Sequence, residues 1–313
     1  MFKGIEEFGL FNGSTEFLEF NKRLDYKLTT PVEFWKNRGW IGPSQIKADY
    51  PDVKLAEANA NSLESLINAF KGADTVFSVT QFFQPGIREM INSGNIDVEY
   101  NQGKNIIDAA IAAGVKDIVF SSLPSMNEIS GGKYPIVYQF EGKYRAEQYL
   151  MSKADKIRGA VIQLGSYMEN FVNFARISSE DNKTIEFTFP YTSNALLPLA
   201  DVANDTGAIV RYIIEHFGNF VGKTTHITSG YYSSQEMVEA FTEATGKPAR
   251  YAQIPHSHFV GEDLEQMFRG IEEFGMFGGS TEFLETNKEL GFKFTSPVEF
   301  WKNRGWNGPT SKN

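Results

Sequence analysis

Between Val53 and Gly165 the chain alternates strand-like and helix-like segments, and this rhythm restricts the fold more than any other feature of the sequence. VKLAEAN (Val53 to Asn59) reads as a strand, SLESLINAFKG as a helix stopped by Gly72, and DTVFSVT (Asp74 to Thr80) as a buried strand. After the loop QFFQPG, a helix over about Val98 to Ala113 carries Ile106, Ile107, Ala110 and Ile111 on one face, with Gly114 as its stop. KDIVFSS (Lys116 to Ser122) is the next strand, YQFEGKYRAEQYLMS the next helix, and IRGAVIQLGSYMEN a strand ending at Gly165. Strands separated by helices pair in parallel, because a parallel pairing needs a crossover of a dozen or more residues. The expectation is an α/β chain with a doubly wound parallel sheet. Beyond it, Leu197 to Phe217 reads as a short strand and a helix capped by Asp201, KTTHITS as a strand, and Ser233 to Lys247 as a helix with a glycine stop. The remainder reads as mixed and mostly helical.

A second feature frames this middle. Met1 to Pro43 returns as Met267 to Pro309 with an offset of 266, and 33 of the 43 positions are identical. Two copies at opposite ends do not make a solenoid, which stacks at least three adjacent units. The pattern reads as a duplicated tail, with Phe34/Trp35 and Phe300/Trp301 as helix-face anchors. The expected organisation is a tail copy over 1–43, a partial sheet region over 44–165 and a mostly helical region over 166–313.

Composition excludes several classes. With 30 basic against 39 acidic residues the formal charge is −9, which opposes a phosphate backbone and argues against direct nucleic-acid binding. There is no cysteine, so disulfides, thiolate nucleophiles and cysteine-based zinc sites are excluded. No leader-like start and no run of about 18 uncharged apolar residues occurs, so the expectation is a cytoplasmic protein, with a nuclear fraction allowed, and no membrane partner. Asn182-Lys183-Thr184 matches a glycosylation acceptor but lacks a secretory context.

Candidate chemistry gathers at strand ends. No G-x-G-x-x-G turn is present, and GNFVGKTT (Gly218 to Thr225) has three residues between its glycines where a P-loop needs four, and it leads into a strand. His256-Ser257-His258 has no partner cluster, so no metal site is expected, and His216 and His226 read as structural. Thr80, Gln81 and Phe82 follow a strand and could line the adenine or ribose side of a cofactor, or form an ordinary turn with aromatic packing. Ser121 and Ser122 end the next strand and Lys143 sits on the helix after it, where a serine and a lysine reach a nicotinamide ribose or a substrate oxygen. The bland reading is a solvated helix lysine.

Five ordered motifs, TVFSVTQFFQPG, GKNIIDAAIAAGVKDIVFSSLPS, FEGKYRAEQYL, IRGAVIQLGSYMENF and LPLADVANDTGAIV, resemble the NmrA-like family of atypical short-chain dehydrogenases over about Val53 to Pro309. The resemblance implies a Rossmann fold, NADP(H) as cofactor in preference to NAD(H), and a role as redox sensor or regulator of a protein partner such as a transcription factor. It implies nucleotide contacts at Asn59, Thr80, Gln81, Phe82, Lys143, Tyr167, Met168, Glu169 and Asn170. Two departures matter. Active short-chain dehydrogenases carry a tyrosine four residues before the lysine; here that place is Gln139, and Tyr138 points about 100° away on a helix. Relatives also begin with a strand, a glycine-rich turn, a helix and a second strand, whereas this chain carries the tail copy there, so the sheet is expected to be incomplete at its N-terminus and NADP(H) weakly bound or lost. The expectation is a regulator lacking conventional dehydrogenase activity. The alternatives are an NADPH-dependent reductase using Lys143 as acid/base in an F-x-x-K setting (Phe140, Lys143), and a truncated paralogue without cofactor. The oligomeric state is left open.

Overall fold

A computed structural model describes residues 52, 54–83, 87–256, 261–289 and 291–309. The N-terminal tail copy, Val53, Ser257 and His258 lie outside the described residues. The chain divides into two compact units, one ending at Lys116 and one beginning at Asp117.

In the first unit, helix α1 (Leu63–Phe70) starts at Ser62, whose Oγ accepts the Ser65 N–H at 3.3 Å, and Gly72 follows it at φ +79°. Strand β1 (Thr75–Val79), helix α2 (Ile87–Asn92) and helix α3 (Val98–Ala112) follow. α3 buries Ile106, Ile107 and Ala110, and Gly114 takes φ +77° past its end. α1 and α3 pack together, pinned by Asn105 Nδ2 on the Ala60 carbonyl (3.0 Å) and Gln102 Nε2 on Asn61 Oδ1 (3.3 Å).

Two sequence expectations fail here. Lys54 to Asn59 form no strand and are exposed throughout. A strand exists only where a neighbour receives its ladder bonds, and the backbone at Asn59 serves the start of α1 instead: its N–H donates to Ser65 Oγ (3.0 Å) and its carbonyl accepts the Ser62 N–H (2.8 Å). β1 is also not buried on both faces: Val76 and Ser78 face inward, while Phe77 is 41% and Val79 58% exposed.

The second unit carries the parallel sheet. Strands β2 (Asp117–Ser122), β3 (Arg158–Leu164) and β8 (Thr224–Ile227) pair in that order, with Ser121 opposite Ile162 and Ile162 opposite Thr225. Helix α4 (Met126–Ile129) precedes helix α5 (Tyr138–Met151), which joins β2 to β3. Glu147 of α5 accepts from Gln163 of β3 (3.0 Å) and Thr224 of β8 (2.9 Å), so α5 covers one face. The other face, with Val119, Ala160 and Ile162, packs on Ile209 and Ile213 of helix α7 (Val202–Glu215), which is capped by Asp201 as expected. Helices on both faces explain why β2 is buried at every position and β3 at every position but Arg158.

The rest is mixed. Strand β4 (Ser166–Tyr167) pairs with β7 (Leu196–Ala200), and β7 with β9 (Gly230–Ser233). Between β4 and β7 lie helix α6 (Glu169–Asn173) and strands β5 (Ala175–Ile177) and β6 (Ile185–Phe189); β6 pairs with β5 and with β10 (Ala249–Gln253). Helix α8 (Ser234–Thr245) opens with a Ser233/Glu236 capping box and closes at Gly246. Helices α9 (Glu262–Phe274), α10 (Glu282–Glu289) and α11 (Pro297–Arg304) complete the chain, and α11 packs on α8. Phe171, Phe187, Phe241, Phe300 and Trp301 form the centre of an aromatic core, so Phe300 and Trp301 are the anchors their spacing predicts.

Candidate functional site

In open α/β sheets, ligands sit beyond the carboxyl ends of the strands. In the second unit one such end is shaped by Gly165, where a Cβ would collide with the Pro198 carbonyl oxygen. Glycine lets β3 pass against β7, and β4 then pairs Ser166 with Leu199 and Tyr167 with Ala200. Tyr167 stands out from this edge, 42% exposed. Met168 turns inward into the core, its N–H on the Ala200 carbonyl (3.0 Å) and its carbonyl accepting the Phe171 N–H (3.0 Å), so it supports Tyr167 from behind.

Glu169 is engaged within the protein. Its Oε1 accepts the Ala203 N–H (3.1 Å) and Arg304 Nη2 (3.0 Å), and Oε2 accepts the Val202 N–H at 3.4 Å, which places a carboxylate on the N-terminus of α7 beside its cap. Burial pushes this carboxyl above its ordinary range, against the pull of those N–H groups and of Arg304. Asn170 is half-buried and its carbonyl accepts the Phe174 N–H.

On α5, Gln139, Lys143 and Glu147 are spaced four apart and form one ridge. Gln139 and Glu147 are buried, and Glu147 reaches the sheet, so half-buried Lys143 sits on the sheet-facing ridge, unlike a freely solvated helix lysine. Gln139 Nε2 lies 3.1 Å from Met267 Sδ, while its buried Oε1 has no hydrogen-bond partner among the described residues. Tyr138 is off this ridge. Ser121 and Ser122 are buried at the end of β2, with Ser122 Oγ on the Leu123 carbonyl (3.2 Å). Around the next turn, Glu141 accepts from Ser125 Oγ (2.8 Å) and the Asn127 N–H (2.9 Å), and Tyr144 donates to Glu128 (2.8 Å). Burial and then Glu128 push that phenol up to about 12.

In the first unit, Asn59 closes its own turn, Oδ1 accepting the Asn61 N–H at 2.9 Å. Thr80 is buried and donates to Glu99 Oε1 (2.9 Å); Gln81 is exposed, and buried Phe82 meets Phe83 edge-on with ring centroids 5.2 Å apart. His216 stacks on Tyr212, and His226 lies against Phe277 and Phe283, its imidazole pushed down to about 4 by burial. Both read as structural from the sequence, and both are placed so. The reach of Glu147 to Gln163 and Thr224, the Gln139–Met267 contact and the Glu169–Arg304 ion pair escaped the sequence reading. Only the four-residue spacing of Gln139, Lys143 and Glu147 hints at any of them.

A dinucleotide fits these residues only in part. Its pyrophosphate needs a glycine-rich turn between a strand and a helix N-terminus. Among the described residues the first helix is preceded by an exposed non-strand segment, and Ser62 already caps it.

The NmrA-like family model matches residues 44–300. The chain belongs to the NmrA-like family. An NmrA-like family domain-containing oxidoreductase, lnaB, of Aspergillus flavus is 30% identical over 255 residues, covering 75% of each chain. Among solved structures, the negative transcriptional regulator NmrA in complex with NAD superposes with a TM-score of 0.66 at 20% identity, covering 83% of this chain and 82% of that one. An NADPH-dependent quinone oxidoreductase of Escherichia coli complexed with NADPH gives a TM-score of 0.62 at 21% identity, covering 84% and 88%. The expected fold class, an α/β Rossmann-type fold like that of nicotinamide-nucleotide-binding neighbours, is the observed one. Among the described residues of this NmrA-like chain, no helix is long and apolar enough to cross a membrane.

Proposed function

We propose that this NmrA-like chain is a regulator whose occupancy by NADP(H) biases a surface read by a protein partner, and that it does not carry out conventional dehydrogenase chemistry. The observation that carries this reading is Gln139. It takes the place of the tyrosine four residues before Lys143, and an amide has no proton to exchange in the pH range where a phenol serves as general acid. The NmrA structure, described as a negative transcriptional regulator, supports a partner of the transcription-factor type. The net charge of −9 favours a protein over DNA as that partner, in the cytoplasm or nucleus. With no phosphate cradle among the described residues, nucleotide binding is weak; the contacts proposed for it in the second unit are Tyr167 and Asn170, while Thr80, Gln81 and Phe82 stand at a strand end of the first unit. Asn59, Met168 and Glu169 then act through the turns they hold.

A thermal-melt titration of the full chain with NADPH, and with NADH as control, tests this. A ligand that binds only the folded state adds RT ln(1 + [L]/Kd), about 2.7 kcal/mol at a hundredfold excess over Kd. The expected outcome is a small, NADPH-selective rise in melting temperature without NADPH oxidation when a quinone or small carbonyl compound is added. Sustained oxidation overturns the reading, and a cooperative melt with no shift leaves a folded paralogue without cofactor.

The reductase reading draws on one observation, the sheet-facing ridge that holds Lys143, and on the oxidoreductase names of relatives. Under it, Lys143→Ala abolishes NADPH turnover and leaves the melting temperature unchanged.

A further inference from the structure

The structure shows what the repeated tail does in its C-terminal copy. Its parts pack on several elements of the second unit: Gly270 of α9 lies against Met126, α10 meets β8, and α11 seats Phe300 and Trp301 in a groove between α8 and β6. Trp301 Nε1 donates to the Met237 carbonyl (3.0 Å), its ring meets Phe187 and Phe241 with centroids 5.6 and 5.1 Å apart, and Phe300 is fully buried beside it. Arg304 holds Glu169, and Thr295 Oγ1 donates to Asp205 at 2.8 Å. Two glycines are required by contact: a Cβ on Gly270 would meet Met126 Sδ at 2.6 Å, and one on Gly308 would collide with the Ile185 side chain.

The N-terminal copy keeps every one of these groups, as Trp35, Phe34, Arg38, Thr29, Gly4 and Gly42. The positions that differ are informative as well. Gly278 and Gly291 sit at φ +64° and +68° with no atom closer than 3.9 Å to a built Cβ, and the other copy has Asn12 and Asp25 there. Asparagine and aspartate are the residues that best tolerate that conformation after glycine. Ser296, the cap of α11, becomes Thr30, a residue type with the same capping preference; buried Met276 becomes Leu10, a volume-conserving change. Asn307, which is exposed and meets Lys247 through its carbonyl, becomes Ile41. Phe294, half-buried, becomes Leu28 and is the main loss of contact area among these.

We propose that residues 1–43 are a second occupant of this groove, and that the two copies within one chain exchange on it. Both copies belong to one chain, so the competitor is present at one per seat whatever the protein concentration.

Melting of the full chain as wild type, Trp35→Ala, Trp301→Ala and the double variant tests this. Trp35→Ala is expected to melt like wild type. Trp301→Ala is expected to fold and to lose less than half of what the double variant loses, because the N-terminal copy takes the seat. The full chain labelled with 5-fluorotryptophan gives a second readout. The fluorine resonance assigned to Trp35, by its loss in Trp35→Phe, is expected to move in Trp301→Ala to the shift that Trp301 shows in the wild type, at monomeric mass by light scattering. The proposal is overturned if Trp301→Ala is as unstable as the double variant, including failure to fold, or if the Trp35 resonance does not move. Rescue accompanied by a dimeric mass overturns the assignment to the same chain.

Discussion

Strands β1 and β2 are similar in sequence, TVFSV against DIVFSS, and end up in different surroundings. β2 is buried at all six positions, covered by α5 on one side and packed on the other through Val119 onto the α7 layer. β1 packs on α3 through one face only and leaves Phe77 and Val79 on the other face exposed. Apolar composition therefore marks a strand but does not say how many faces are covered; that depends on which helices the rest of the chain delivers.

The largest way to break this contrast is to hollow the two-sided part of the molecule. Phe187→Ala removes a fully buried ring that touches Phe171, Phe241 and Trp301, and is expected to cost about 3–5 kcal/mol in urea unfolding.

A pH series sharpens the contrast next. Burial holds His226 at about 4, below the ordinary value of 6.5, so the folded state binds fewer protons than the unfolded state between those values. Its contribution is fully present above about 6.5 and is lost as pH falls toward 4, by about 3 kcal/mol in total. The slope of stability against pH in that window should flatten in His226→Phe; an unchanged slope refutes the assignment.

The smallest effects come from a matched pair. Val119→Thr places a hydroxyl in a dry layer and is expected to cost about 1–3 kcal/mol, whereas Val79→Thr on the uncovered face of β1 should stay within about 0.5 kcal/mol of wild type. Equal losses would mean that the two strands are covered alike.

Much of the fold was legible because local chemistry and tertiary demand agree. α5 runs over Tyr138–Met151 as its periodicity predicts, and Asp201, Ser233, Gly246 and Gly114 mark element ends where their capping and turn preferences place them. Lys54 to Asn59 misled because alternating apolar residues describe a strand without naming its partner. The short strands β9 and β10 escaped because each is defined by pairing with distant residues, as Ala249 is with Ile185, and β5 because three residues are too few to show a period. The site was less legible still. Glu169 reads as a nucleotide contact from its motif, yet its oxygens are taken by the start of α7 and by Arg304, which lies 135 residues away in sequence. No local pattern encodes that meeting.

That ion pair makes the turn after β3 a joint bearing two loads. Tyr167 and Asn170 flank the carboxylate that the last helix grips, so whatever rests on the sheet edge and whatever is seated beside Trp301 share one hinge pin. Reciprocity then applies: if occupying the edge tightens or loosens the grip of Arg304, seating the tail must favour or disfavour that occupant by the same factor.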